Sequence, residues 1–217
     1  MQLPVQRTFL LLGTLIFLLF SAISVSAGPV TFIAGTTGSF GAGSTGGTVG
    51  GGGTTLTVGG TTVTFTPGSL NVGLELPPGL SSSTVNLGKL GATSSALSTF
   101  DGGTFTLNVT FTVPGDVSPT PGVYNASVTG KINATASNAQ VVWSPTTLTF
   151  NSSSIGSFTL TLEPFTPIDA PGNAPHDIRA VITYNTGPAQ VPEPMTLMTL
   201  GSGLAGLATM LRRRNKK

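Results

Sequence analysis

The sequence predicts an all-β fold, an antiparallel two-sheet sandwich, with an N-terminal signal helix and a single C-terminal transmembrane helix added at the ends. Three observations carry the prediction. Apolar and polar residues alternate with period two through the middle of the chain. Turn residues punctuate that pattern about every 8 to 12 positions. No interior stretch has the 3.6-residue periodicity of a crossover helix, which excludes parallel α/β folds.

Arg7 precedes an apolar run over residues 9–20, and Val25-Ser26-Ala27 follows as a small-residue site. A positive start, a short apolar segment and small residues are the parts of a secretory signal. Residues 1–27 are therefore assigned to a signal peptide cut after Ala27, with the Sec translocon and signal peptidase as implied partners. Residues 28–60 follow, and glycine dominates them, with Gly50 to Gly53 consecutive. Few side chains to bury and much backbone entropy to lose predict a flexible Gly/Thr-rich segment here. A phosphate-binding loop is excluded, because neither a preceding strand nor a following helix with Lys-Ser or Lys-Thr is present.

Residues 61–187 form the predicted sandwich domain. Phe105, Leu107, Val109, Phe111 and Val113 alternate with Thr104, Thr106, Asn108, Thr110 and Thr112, the pattern of a half-buried strand. Pro114-Gly115-Asp116 and Ser118-Pro119-Thr120-Pro121-Gly122 then break the chain. A partner strand is expected over residues 123–136, with Tyr124, Ala126, Val128, Ile132 and Ala134 on one face and Gly130 at a bulge or bend. Shorter runs of the same habit cover residues 61–66, 72–76, 84–90, 140–143, 147–150, 157–162 and 178–184. Seven to ten strands are expected in two stacked sheets.

Charge narrows the function classes. The chain has nine Lys and Arg against seven Asp and Glu, and a basic pI near 9.3. Six of those cations are Arg7, Arg212, Arg213, Arg214, Lys216 and Lys217. Between residues 28 and 190, Lys89, Lys131 and Arg179 face Glu75, Asp101, Asp116, Glu163, Asp169 and Asp177. The body is thus mildly acidic, and no nucleic-acid partner is expected. Cysteine is absent, so disulfides, thiolate nucleophiles and cysteine metal sites are excluded.

No catalytic residues are assigned. His176 is the only histidine, no serine lies in a G-x-S-x-G elbow, and the carboxylates are scattered. No cofactor is expected. Gly201-Ser202-Gly203-Leu204-Ala205-Gly206 matches the dinucleotide fingerprint formally, but it lies in an apolar run with no strand before it. The loop over residues 163–177 holds His176, Asp169, Asn173 and Asp177. Asp169 and Asp177 are the candidate metal ligands, for a calcium ion completed by backbone carbonyls, although the spacing is not that of a dedicated calcium loop. Thr104, Thr106, Thr110 and Thr112, with Thr62, Thr64 and Thr66, project hydroxyls in regular order, as a flat ligand such as ice or a polysaccharide requires; threonine is also simply favoured on exposed sheet faces.

Residues 188–217 close the chain. Val191-Pro192-Glu193-Pro194 holds Glu193 on extended backbone between two prolines. Residues 195–211 are apolar and span about 25 Å as a helix, near the minimum for a bilayer. Arg212, Arg213 and Arg214 follow as a membrane stop and hold the C-terminus on the cytoplasmic side. In motif, element order and terminal position this tail resembles the PEP-CTERM sorting signal of Gram-negative bacteria, a tail type also seen on ice-binding-like proteins. The resemblance implies recognition of Val191, Pro192, Glu193 and Pro194 by an exosortase, a membrane intermediate, and delivery to the cell surface or the extracellular matrix among exopolysaccharide. Two expectations follow for the body. It is a non-enzymatic structural or adhesive protein, or it is a module that binds carbohydrate, calcium or ice.

Overall fold

The structure is a computed structural model of the chain, and it describes residues 29–41, 43, 47–75 and 81–186. These residues are all-β, without an α-helix, and every strand pairing is antiparallel. Thirteen strands form two sheets: β1 (Val30–Gly41), β2 (Thr48–Gly50), β3 (Thr55–Val58), β4 (Thr61–Pro67), β5 (Ser69–Leu74), β6 (Ser82–Ser94), β7 (Ser98–Val113), β8 (Gly122–Ile132), β9 (Gln140–Trp143), β10 (Thr147–Ser152), β11 (Gly156–Leu162), β12 (Phe165–Pro167) and β13 (His176–Thr186). The first sheet has the order β12-β9-β8-β7-β1-β5, and the second β10-β11-β13-β6-β4-β3-β2. The two sheets fit the expected sandwich. The expected signal and transmembrane helices lie outside the described residues.

Alternation dictates which residues close the core. On β7 the inward set Phe105, Leu107, Val109 and Phe111 is buried, while Thr104, Thr110 and Thr112 are exposed. Phe32, Phe111, Phe150 and Phe158 interlock at one end, with edge-on ring contacts of 4.7 to 6.5 Å and Phe150 stacked on Phe158 at 5.2 Å. Phe40, Phe65, Phe105 and Trp143 form a second chain of rings, 4.6 to 5.7 Å apart. Hydrogen bonds also join the layers. The Tyr124 hydroxyl on β8 donates to the Leu160 carbonyl on β11, and the Thr36 hydroxyl on β1 donates to the Leu87 carbonyl on β6 at 2.7 Å.

The largest correction concerns residues 28–60, expected to be flexible. They supply β1, β2 and β3, and β1 sits between β5 and β7 inside the first sheet. The physical reason is at Gly38. It faces the core, and a Cβ there would stand 2.6 Å from the Phe65 ring and 2.7 Å from the Phe105 ring. Glycine at this point lets two aromatic rings approach the backbone, so it serves packing and not mobility. Around it Phe32, Ala34, Thr36 and Phe40 keep the inward alternation of an ordinary strand.

The β7–β8 pair adds detail. The strand expected over 123–136 ends at Ile132, because Asn133 Oδ1 accepts from the backbone N–H groups of Thr135 and Ala136 at 2.8 and 2.7 Å and turns the chain. Gly130 takes a positive φ of 113°, the special backbone expected there, while the register shift of this strand pair lies on β7 between Asp101 and Gly103, where Gly102 has a φ of 75°.

Candidate functional site

With both inner faces buried against each other, the surface available for function is the two outer faces and the loops at their rims. The threonines that form one set in the sequence are divided by the fold. Thr104, Thr106, Thr110 and Thr112 lie on the outer face of the first sheet, and Thr62, Thr64 and Thr66 on that of the second, on opposite sides of the sandwich. Antiparallel register then assembles rows that no linear reading shows. On the second sheet Thr93, Thr62, Thr57 and Thr48 stand side by side across four strands, and the Thr57 and Thr62 hydroxyls are 2.9 Å apart. At the far end of that sheet Thr149, Thr159, Thr183 and Ser82 form another such row. Between them lies a charged band containing Arg179, Lys89 and Asp177.

The first sheet presents a different surface. Gly41, Thr104, Ser127, Val142 and Phe165 form one cross-strand row that ends at the edge strand β12. The next row, Asp101, Thr129, Gln140 and Pro167, runs beside it. Phe165 is 50% exposed, although it is a phenylalanine on a sheet whose inner face is filled with them. Its orientation follows from its neighbour: Thr166 turns inward, where its Oγ1 accepts from the Trp143 indole N–H at 3.0 Å, so Phe165 and Pro167 turn outward. Val142, directly opposite Phe165, is also exposed.

Beyond Gln140 and Pro167 opens a cavity of about 530 Å³, lined by residues of the 135–140 turn and of the loop after β12, among them Asn138, Gln140, Asp169 and Asn173. The walls are fastened to each other. The Ser137 hydroxyl donates to the Ile168 carbonyl, and the Ile168 N–H donates to the Ala139 carbonyl at 2.9 Å. Asp169 Oδ2 lies 3.2 Å from His176 Nδ1.

The two candidate metal ligands have different partners. Asp169 turns to His176, whereas Asp177 stands opposite Lys89 in register, with its Oδ1 3.7 Å from Lys89 Nζ. Among the described residues no group of three or more His, Cys, Asp or Glu side chains converges. The residues expected to form a sorting motif, Val191 to Pro194, those expected to form a membrane stop, Arg212 to Arg214, and the expected cleavage residue Ala27 lie outside the described residues. Among the described residues no helix is long and apolar enough to cross a membrane.

One carboxylate is more heavily engaged than its sequence position announces. Asp116, in the β7–β8 turn, accepts from the hydroxyls of Ser152, Ser153 and Ser154 at 2.8, 2.6 and 3.0 Å, and from the Ser154 N–H at 2.9 Å. The Ser153 hydroxyl, then that of Ser152, holds its carboxyl well below the ordinary carboxylate range, and the Ser154 groups add to this. Adjacent backbone bonds between Ser118 and Asn151, 2.8 Å in both directions, complete a clamp between the turn of one sheet and the edge strand of the other. Its donors come from 36 to 38 residues away, so only the serine triplet itself hinted at it.

Neither a family model, nor a curated protein, nor a solved structure matches the chain in comparisons with known proteins, so the reading of its sites rests on its own geometry.

Proposed function

We propose that the chain is an exported, non-enzymatic component of the cell surface or extracellular matrix, sorted by an exosortase through its C-terminal signal, with the sandwich as a structural or adhesive body. The observation that supports the role of the body is the chemistry of its outer faces. Hydroxyl and amide side chains are set in cross-strand rows over both sheets. Such faces exchange hydrogen bonds with hydrated neutral polymers at little desolvation cost, and they carry few charges to restrict the partner. The resemblance of the tail supports the route: export, a membrane intermediate, then removal of residues after the Val191-Pro192-Glu193-Pro194 motif.

The route is tested by intact-mass analysis of the protein recovered from its native host. Loss of residues 1–27 and of the segment carrying Arg212 to Lys217 is the expected result. Mature surface protein that keeps Arg212 to Lys217 refutes exosortase processing.

A further inference from the structure

We infer that the edge of the first sheet is a saccharide-binding site, with Phe165 and Val142 as the platform and the adjoining cavity as the polar half. The ligand class is a neutral oligosaccharide or polysaccharide chain. This rests on the reading of the sandwich as a surface or matrix component, and it names the polymer that component holds.

Three observations point to this ligand. First, the platform is apolar and exposed. Phe165 and Val142 face outward on paired strands, where opposed side chains lie about 5 Å apart, and the C–H face of a pyranose ring covers an aromatic face favourably because that face is electron-rich. Second, polar groups with spare capacity lie next to it. Pro167 and Gln140, two residues along from Phe165 and Val142, are about 7 Å away on the same face and already border the cavity. Within that cavity Asp169 uses Oδ2 toward His176, and its Oδ1 accepts nothing from the described residues. The side-chain amides of Gln140 and Asn173 are likewise uncommitted among the described residues, and together these groups offer donors and acceptors for vicinal hydroxyls. Third, the charge pattern selects against polyanions. The cavity is lined by one carboxylate and no cation, so a polyuronate is repelled where a neutral chain is not. An apolar platform joined to a few convergent polar groups is the usual construction of a small-molecule subsite.

The test uses the full chain purified in detergent, titrated calorimetrically with cellohexaose, maltohexaose, mannohexaose and an alginate hexamer. At least one neutral hexasaccharide should bind saturably, and the alginate hexamer should not. Phe165→Ala should weaken that binding about tenfold or more, with Asn173→Ala weaker than wild type as well, while Val181→Thr, at an exposed position of β13 on the opposite sheet, leaves it unchanged. Both substituted side chains are exposed, so unchanged thermal unfolding confirms that the variants are folded. Absence of binding by all three neutral probes, preference for alginate, or equal binding by wild type and both variants overturns the site. So does a Phe165→Ala effect confined to self-association, which identifies a second copy of the chain as the occupant. Binding lost with Val181→Thr and kept with Phe165→Ala also overturns this site, yet leaves the surface-protein reading intact; a retained C-terminal tail refutes the sorting route alone.

Discussion

Gly38→Ala isolates the most consequential feature of the N-terminal third, the use of glycine for packing. The new methyl would meet Phe65 Cδ1 and Cε1 at 2.6 Å and Phe105 Cζ at 2.7 Å, well inside contact distance. Neither ring can swing aside, since Phe105 already touches Phe40, Phe65 and Trp143 at centroid distances of 4.6, 5.2 and 5.7 Å. Overpacking of this kind costs about 1–3 kcal/mol. In a domain of this size about 1 kcal/mol lowers Tm by roughly 2–4 °C, so a fall of about 2–12 °C is expected. Gly35→Ala is the internal control. Gly35 lies on the outer face of the same strand, its Cβ would meet nothing within 4 Å, and its φ is not positive. Reduced freedom of the unfolded chain should make that substitution neutral or stabilising by up to about 1 kcal/mol. Urea denaturation followed by the fluorescence of Trp143, the single and nearly buried tryptophan, reports both. Equal stability of Gly38→Ala and Gly35→Ala would refute the placement of β1 in the core and restore the flexible segment.

The Asp116 clamp makes stability acid-sensitive with a defined sign. Its carboxyl titrates below its ordinary value of 3.8 when folded, so the stabilisation is complete above that value and is lost as pH falls through the lower folded one. Thermal unfolding of wild type should weaken in the range below 3.8, and Asp116→Asn should be less stable near neutrality and fall less steeply with acid; parallel curves for the two proteins exclude the clamp as a source of that dependence. Tyr124→Phe removes the buried hydroxyl that donates to the Leu160 carbonyl across the two sheets. A loss of about 0.5–1.5 kcal/mol is expected in urea denaturation, and an unchanged midpoint would show that this bond between the sheets is not needed.

The strands were legible wherever the alternation was long and made of ordinary side chains. Ten residues of β7 read correctly, and β9 and β11 appear with nearly the bounds expected, because period-two burial is a local property. The glycine-rich strands were illegible for the opposite reason: a position that carries no side chain gives no periodic signal, and whether its glycine means freedom or a ring pressed against the backbone depends on Phe65 and Phe105, far along the chain. β12 was hidden in what reads as a loop, since three residues cannot establish a period and Thr166 is buried by its bond to Trp143.

The sequence by itself determined the all-β class and the alternation that assigns inner and outer residues, and it carries the linear motifs on which the proposed export and sorting rest, all of them short-range patterns. Tertiary structure alone decided which outer residues share a face. Strand order and register separated Thr62, Thr64 and Thr66 from Thr104 to Thr112 and set threonines from four strands in one row. They also gave Asp169 and Asp177 different partners, and brought Phe165 beside Val142, next to the Gln140 and Pro167 rim of a polar cavity. The physical reason is that neighbours across a sheet are chosen by hydrogen-bond register between distant segments, and such pairing leaves no mark on the local order of residues.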